Sequence, residues 1–351
     1  RALDPPLISD LGLRGLKFAV RDMPLVAPRE GGGNLLLTRD VRTASRAIAI
    51  FSSADATTYR RLQSEVFGLA RAMRPQWWDR TQPKLNAAQR REFSSFSAAS
   101  AISLLNMFET DILKAALAFD APAPMEPGSA LALVWNAAQE MCGLQGAVAA
   151  PRGGRAAVVD ALAVAALNAG VEIRTTARVR RLVLGSEARS VMLDTGEMVF
   201  GRAILSSLTR RRTFLELAPT ASAGFAETHR LTRGISRSGE ASILFLLNAA
   251  PEFGGARAPQ TARFVIADRV ESYAAVAAAS REGQLPDELL LEVTVPTAAD
   301  PSLAPPGQHL VSVRVIGLPI EPQGGWPALT GKLIERVVAT LEPYASHLRV
   351  R

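Results

Sequence analysis

The chain has 351 residues, of which 48% are hydrophobic and 21% are charged, and its net charge is +7. This composition excludes an intrinsically disordered chain and is sufficient for one large domain, or two interleaved ones, around a sizeable core. The basic residues are spread along the chain and do not alternate with aromatic residues, so no nucleic-acid-binding surface is predicted.

Membrane, disulfide and metal sites are also not predicted. No apolar run approaches the ~20 residues needed to cross a bilayer, which indicates a soluble chain without a transmembrane segment. The single cysteine, Cys142, lies in an apolar stretch and is expected to be a buried thiol. The histidines lack zinc-ligand spacing. The opening Arg-Ala-Leu-Asp-Pro-Pro lacks a signal-peptide pattern and is typical of a mid-protein segment.

The first elements in chain order are helical. Apolar residues recur at helical spacing over residues 58–73, where Asp55 is expected to cap a helix that Pro75 ends. A second long helix is expected over residues 86–119, and a shorter one over 130–141. The glycines at 31–33 fit neither the GxGxxG nor the P-loop spacing, which favours a turn between strands.

The next segment belongs to the α/β class. A helix is predicted over residues 156–168, and Gly170 follows it where a left-handed glycine commonly ends a helix. Thr195 and Gly196 are expected to form a hairpin turn. The strands are predicted at residues 171–174, 179–184, 190–194, 197–201 and 203–206.

The last part of the chain is predicted to form an antiparallel or mixed sheet, because runs of strands follow one another with few helices between them. The predicted elements are a helix near Thr213, strands at 242–248, 263–266, 289–295 and 309–316, and helices over 268–281 and 328–341. Residues 234–239 resemble a nucleophile elbow but do not fit the GxSxG frame, so no hydrolase is predicted. Glu109 and Asp111 are expected to be surface or N-terminal helix charges rather than an acid/base pair, since residues two apart on a helix do not face each other.

The order of motifs after residue 150 resembles one family. The segment contains Pro151-Arg152-Gly153-Gly154, Asp160-Ala161-Leu162, residues 169–175, Val179-Arg180-Arg181-Leu182, residues 193–197 and residues 203–207. With the later segment at residues 300–309, this order resembles the phytoene dehydrogenase-related flavoproteins of the amine oxidase group.

The resemblance implies the interior part of a two-domain FAD/NAD(P)-binding flavoprotein fold of mixed α/β class. The implied regions are a helical substrate-side region at 1–150, part of the FAD-binding domain at 151–217, a mixed or antiparallel substrate-domain sheet at 218–327, and a helix leading back to the FAD-binding domain at 328–351. Family members carry an N-terminal GxGxxG segment and a C-terminal FAD segment that this sequence lacks. We therefore interpret the chain as a fragment that binds FAD weakly, or not at all, by itself.

The resemblance also implies the cofactor and its contacts. The cofactor is FAD. Gly153 and Gly154 match the positions that let the backbone approach the isoalloxazine, and Val179 matches a strand residue whose backbone contacts the adenine. Ser206 and Ser207 match the return to the flavin domain. No catalytic acid or base is predicted.

The implied function is an FAD-dependent oxidoreductase that transfers hydride between the flavin and an apolar or amine-bearing organic substrate. Helices of residues 41–142 and strands of residues 240–316 are expected to form the substrate wall. The alternative is a non-catalytic pseudo-enzyme, or an interaction or regulatory protein, that keeps the fold without the cofactor. A homo-oligomer or protein partner stays open. The expected location is the cytoplasm in a bacterium, or the mitochondrial matrix for a eukaryotic relative.

Overall fold

The computed structural model describes residues 5–13, 15–78, 81–184, 189–218, 224–233, 238–255 and 258–346. The chain divides into two compact units, a larger one of Arg1–Ala165 with Arg237–Arg351 and a smaller one of Ala166–Ser236. The larger unit contains a six-stranded sheet, and the smaller unit contains a three-stranded sheet.

The helices and strands of the described residues are as follows. The α-helices are α1 (Pro5–Asp10), α2 (Val41–Ala49), α3 (Ser53–Trp78), α4 (Ala87–Ala98), α5 (Ala101–Leu105), α6 (Asp111–Ala118), α7 (Leu131–Ala138), α8 (Gly154–Asn168), α9 (Gly224–Arg233), α10 (Glu271–Arg281), α11 (Pro296–Ala299) and α12 (Trp326–Leu341). The strands are β1 (Phe18–Val20), β2 (Leu25–Ala27), β3 (Leu35–Leu37), β4 (Glu140–Met141), β5 (Leu144–Gln145), β6 (Ala150–Pro151), β7 (Val179–Leu184), β8 (Arg189–Leu193), β9 (Met198–Gly201), β10 (Ser238–Leu247), β11 (Glu252–Phe253), β12 (Arg263–Ile266), β13 (Leu290–Thr294), β14 (His309–Pro319) and β15 (Ala345–Ser346). A π-helical turn covers Arg212–Leu217, and 3-10 turns cover Pro301–Leu303 and Glu342–Tyr344.

The six-stranded sheet has the order β10-β14-β13-β12-β2-β3. All neighbouring strands are antiparallel except β12 and β2, which run parallel. Successive side chains on a strand point to opposite faces, so Leu290 packs in the cluster with α2, α3 and α6, while Leu291 packs in the cluster with α12. The predicted mixed sheet and the α/β class are thus confirmed, with helices covering both faces.

A β-bulge interrupts the long pairing of β10 with β14. Gly239 pairs with Leu318 and Glu240 pairs with Ile316, which leaves Gly317 as the extra residue. Its φ of 78° is in the left-handed region, and a Cβ there would lie 2.1 Å from Cγ1 of Val276 on α10. Only glycine allows this bulge to pack against α10.

Helix α3 is longer than the sequence indicated. The prediction that Pro75 ends it is wrong, because the helix continues to Trp78. The rings of Trp77 and Trp78 pack on Trp135 of α7, with centroid distances of 5.0 and 4.9 Å. This aromatic packing stabilises the last turn beyond the proline.

Asp55 caps a different helix from the one predicted. Asp55 lies in the first turn of α3. Ser52 caps this helix, because its hydroxyl accepts a hydrogen bond from the Asp55 amide at 3.1 Å. The buried Asp55 carboxylate accepts hydrogen bonds from the amides of Glu109 and Thr110 at 2.9 and 2.8 Å. Its negative charge therefore stabilises the N-terminal end of α6.

The single helix predicted over residues 86–119 is wrong, since the structure has α4, α5 and α6 there. Asn86 caps α4 in a capping box with Gln89, so a helix does begin near the predicted residue 86. Ser100 has extended backbone, and its side chain accepts from the amide of Ser103 to start α5. This serine cap divides a continuous apolar stripe into separate helices.

The smaller unit contains the predicted hairpin. Strands β7, β8 and β9 are antiparallel neighbours, and Gly196 in the turn has φ of 87°. The strands predicted at 171–174 and 203–206 are wrong, because neither segment pairs with another described strand. In the first of them Arg174 instead forms ion pairs with Glu172 and Glu197.

Other local predictions have mixed outcomes. The glycines at 31–33 form the turn between β2 and β3, as predicted. The prediction of a buried thiol is wrong, since Cys142 is half-buried in a tight turn with φ of 53°. Asp111 forms an ion pair with Lys114 at 2.6 Å, in keeping with a surface charge. Residues 234–237 of the elbow-like segment and the N-terminal residues 1–4 lie outside the described residues.

None of the described helices is both long enough and apolar enough to cross a membrane. The compartment in which the protein works stays a prediction.

Candidate functional site

The larger unit contains a partly open cavity between its helices and its sheet. Its volume is about 180 Å³. The apolar part of the wall comes from α3, α6, α7, β2 and β3, with residues such as Leu37, Leu62, Val66, Phe67, Leu117 and Leu133. The three helices belong to the region predicted to supply a substrate wall, whereas β2 and β3 lie before residue 41 and outside the predicted regions. An apolar pocket with a few fixed polar groups is the usual form of a small-molecule site.

A buried ion pair forms the polar end of this cavity. Arg263 of β12 is 5% exposed, and its guanidinium donates to both carboxylate oxygens of Asp120, at 2.6 and 3.2 Å. The same guanidinium donates to the Glu292 carboxylate on β13, with a distance from Nε of 2.8 Å. Desolvation acts to lower the pKa of Arg263, but the carboxylates of Asp120 and Glu292 outweigh it and raise the pKa overall.

Tyr59 supplies a further polar group to the wall of this cavity. It lies on α3, lines the cavity and is 4% exposed. Burial alone raises its pKa, and its hydroxyl has no hydrogen-bond partner among the described residues. Among those residues the fully enclosed side-chain atoms that lack a hydrogen-bond partner are Ser45 Oγ and Arg314 Nε. The Tyr59 hydroxyl is not one of these enclosed atoms, so it is open to the cavity that Tyr59 lines. We refer to this space as the Tyr59 cavity.

The predicted flavin contacts Gly153 and Gly154 form the turn that starts α8 in the larger unit. Both are left-handed, with φ of 77° and 69°. The Gly153 amide donates to the Asp300 carboxylate at 2.6 Å, and the same carboxylate accepts from the amide and hydroxyl of Ser302. These hydrogen bonds, that of the Ser302 hydroxyl first and the Gly153 amide second, lower the pKa of Asp300. The Gly153 donor is therefore engaged by protein, and the assignment of both glycines to the flavin stays a prediction.

Val179, the predicted adenine contact, begins β7 in the smaller unit and pairs with Leu193 of β8. Strand β7 is an outer strand of its three-stranded sheet, so one backbone edge has no partner strand among the described residues. Such an edge fits a role in which backbone N–H and C=O groups contact a ligand. The assignment of Val179 to adenine stays a prediction.

Ser206 and Ser207 lie after β9, in the smaller unit. The Ser206 hydroxyl is within 2.8 Å of the Thr213 hydroxyl and accepts from the Leu208 amide at 3.3 Å. It therefore stabilises its own turn. Ser207 is exposed. Their contact with a cofactor also stays a prediction.

A family profile covers all five residues predicted to contact the flavin and most of the residues that line the cavity. The profile of the flavin containing amine oxidoreductase family matches residues 7–209, more than half of the chain. The chain belongs to the flavin containing amine oxidoreductase family.

Two relatives of the chain are named as oxidoreductase domain proteins. The proteins named pyridine nucleotide-disulfide oxidoreductase domain-containing protein 2 from Mus musculus and Rattus norvegicus are 29% and 28% identical to the chain over 377 positions. Each alignment covers 92% of this chain and 64% of the relative. The chain thus spans less than two thirds of the length of these relatives.

Solved structures share the fold. An oxidoreductase from Methanosarcina mazei and a protein from Pyrococcus furiosus each have a TM-score of 0.55 at 15% identity, and cover 99% of this chain and 72% and 71% of their own chains. A putrescine oxidase variant has a TM-score of 0.55 at 14% identity, and covers 97% of this chain and 69% of its own. These likenesses establish the flavoprotein fold.

Sequence reasoning missed the polar groups of both sites. A local signal existed for Arg263, since an arginine opens an otherwise apolar strand and must find a partner when buried. No local signal marks Tyr59, which has the helical spacing of a core residue. Asp300 was part of the family-like segment, but its hydrogen bond joins residues 147 positions apart.

Proposed function

We propose that the protein containing this chain is an FAD-dependent oxidoreductase whose organic substrate occupies the Tyr59 cavity. The observation that carries the proposal is the family match over residues 7–209, which includes Gly153, Gly154 and Val179. When bound, the flavin supplies the two-electron chemistry, taking up a hydride from the substrate as the substrate is oxidised.

The residues of the chain would have separate roles. The backbone around Gly154 would adjoin the flavin, and the outer edge of β7 near Val179 would bind its adenine. The apolar wall of the Tyr59 cavity would exclude water and orient the substrate. Asp300 would hold the glycine turn in place through its hydrogen bond with the Gly153 amide.

Helix α8 gives the proposal further support. None of its residues is buried, and Val159 and Val164 are 62% and 56% exposed. Exposed aliphatic side chains on one helix favour packing against another protein layer. In the family that the sequence resembles, the helix after the double glycine packs beside the flavin domain. The exposed aliphatic surface of α8 fits that position.

The glycine turn offers a matched test of cofactor binding. Gly154 and Gly170 both have left-handed φ, of 69° and 80°, at the two ends of α8. Alanine at either position should impose a similar backbone strain of about 1–2 kcal/mol. The test uses protein expressed from the complete open reading frame that encodes this chain, titrated with FAD by fluorescence quenching.

We expect Gly154→Ala to weaken FAD binding by about tenfold or more, while Gly170→Ala leaves the FAD dissociation constant unchanged. Equal FAD affinities for the two variants would remove the glycine turn from the cofactor site. Protein that binds no FAD at all would favour the alternative, a pseudo-enzyme that keeps the fold without its cofactor.

A further inference from the structure

The charged side chains that line the Tyr59 cavity are already paired with one another. Asp22 pairs with Arg39, with Nε and Oδ2 3.3 Å apart. Asp120 pairs with Arg263 through both of its carboxylate oxygens. The wall therefore contributes two negative and two positive charges, all within ion pairs. A ligand ammonium group would therefore meet carboxylates whose charge a resident arginine already neutralises.

Burying an ammonium without a carboxylate partner is costly, because the charge loses its hydration and gains no compensating interaction. The Asp120 carboxylate is the more buried of the two. Displacing Arg263 from it would break two hydrogen bonds of a buried guanidinium, which would then keep only the Glu292 carboxylate as a partner. The electrostatics of the wall thus disfavour a cationic amine and accept a neutral molecule.

The open hydroxyl of Tyr59 provides the complementary polar contact. A buried tyrosine hydroxyl usually finds a hydrogen-bond partner, and here the described residues supply none. A phenol can donate to a carbonyl or hydroxyl oxygen and can also accept from a hydroxyl. Gln63 lies four residues later on α3 and lines the same cavity, so it shares the face of the helix that Tyr59 presents.

We propose that the Tyr59 cavity binds a neutral organic molecule whose hydroxyl or carbonyl oxygen is hydrogen-bonded by Tyr59, in preference to an ammonium-bearing amine. The proposal rests on the proposed function in that it names the substrate class of the same site. It is tested by binding alone, without flavin, so that failure of cofactor binding leaves this test unaffected.

Three probes of similar shape distinguish a neutral polar ligand from a cationic ligand and from an apolar one. A protein cavity of about 150 Å³ is large enough for benzene, so the volume of about 180 Å³ suits a singly substituted benzene ring. Benzyl alcohol carries a neutral hydroxyl, benzylamine carries an ammonium at neutral pH, and toluene carries neither. Their binding to the 351-residue chain is measured by ligand-observed NMR.

We expect benzyl alcohol to bind about tenfold or more tightly than benzylamine, since the ammonium would be buried unpaired. Tyr59→Phe should weaken benzyl alcohol by about three- to tenfold, the usual effect of one lost hydrogen bond, and should leave toluene unchanged. Gln63→Glu adds a carboxylate to the same wall and should strengthen benzylamine by about tenfold. Circular dichroism verifies that both variants are folded.

Several results would overturn the proposal. Benzylamine binding as tightly as benzyl alcohol to the wild-type chain would show that the ion pairs do not exclude a cation. Equal weakening of toluene and benzyl alcohol by Tyr59→Phe would reduce Tyr59 to a shape-determining residue. Absence of benzyl alcohol binding to the folded chain, or no gain in benzylamine affinity with Gln63→Glu, would remove the cavity as the site.

Discussion

The carboxylate of Asp300 accepts a hydrogen bond of 2.6 Å from the backbone amide of Gly153. This contact connects the start of a 3-10 turn with the start of α8, two segments far apart in sequence. Hydrogen bonds to a carboxylate are shorter and stronger than those between neutral groups. Asp300 is therefore a positioning residue for the glycine turn that the family resemblance assigns to the flavin.

Removing the Asp300 carboxylate should loosen this turn. Asp300→Ala deletes the acceptor for Gly153 and for the amide and hydroxyl of Ser302. We expect a lower urea midpoint and faster hydrogen exchange at the Gly153 amide, because that donor loses its partner. Ser302→Ala is the control, since it leaves the Gly153 contact in place. Unchanged exchange at Gly153 in Asp300→Ala would contradict the role of Asp300.

The same carboxylate should give a pH-dependent contribution to stability. The pKa of Asp300 is lowered in the folded chain from its ordinary value of 3.8, first by the Ser302 hydroxyl and then by the Gly153 amide. A lowered folded pKa means that the stabilisation is fully present above the unfolded pKa and is lost as the pH falls through the folded pKa.

We therefore expect wild-type to exceed Asp300→Asn in stability at neutral pH, and the difference to shrink progressively below the ordinary value of 3.8. Urea unfolding of both proteins across this pH range measures the difference. A gap that stays constant down to the lowest pH, or that widens on acidification, would be inconsistent with an ionised Asp300 that stabilises the fold.

The buried ion pairs of Arg263 at the polar end of the Tyr59 cavity should be important for stability. Arg263→Leu leaves the carboxylates of Asp120 and Glu292 without their shared cation, and breaking a buried pair in this way costs about 3–5 kcal/mol of unfolding free energy. Arg269→Leu is the matched control, because its pair with Glu288 is exposed and such pairs contribute about 0–1 kcal/mol. Equal losses of unfolding free energy for the two variants, measured with urea, would show that the buried network contributes no more to stability than an exposed ion pair.

A side chain added at the β-bulge residue Gly317 should destabilise the packing of the sheet against α10. Gly317→Ala adds left-handed strain and a clash with Val276, which together should cost about 2–5 kcal/mol. Gly170→Ala, with φ of 80° and no atom within 4 Å of the added Cβ, should cost only the strain of about 1–2 kcal/mol.

Adding Val276→Ala tests the clash directly. In that background Gly317→Ala should cost less than it does in wild-type, with a coupling energy of about 0.5–3 kcal/mol in a double-mutant cycle. Additive unfolding free energies would mean that the two side chains do not meet at the bulge.

Elements with a strong period and a clear turn signal were predictable. The hairpin around Gly196 follows from alternating apolar residues on either side of a turn dipeptide, and β12 lies where its short apolar run indicated. Other boundaries depend on contacts that no local window contains. Helix α3 passes Pro75 because two tryptophans pack on Trp135, and the bulge at Gly317 exists because α10 lies against it.

The candidate sites were less predictable than the elements. The family resemblance supplied Gly153, Gly154 and Val179, but it did not indicate that Asp300 already binds the Gly153 amide. Tyr59 follows the helical spacing of a core residue, and only the tertiary structure shows that its hydroxyl faces a cavity. Long-range polar contacts of this kind leave no periodic signal in the sequence.

Flavin binding is measured most simply by the visible absorption spectrum of protein purified from the complete open reading frame. We predict the two-banded spectrum of an oxidised flavin, which bleaches on anaerobic reduction and is released as FAD on denaturation. A folded but colourless protein that takes up no FAD on reconstitution would contradict the assignment as a flavin-dependent oxidoreductase.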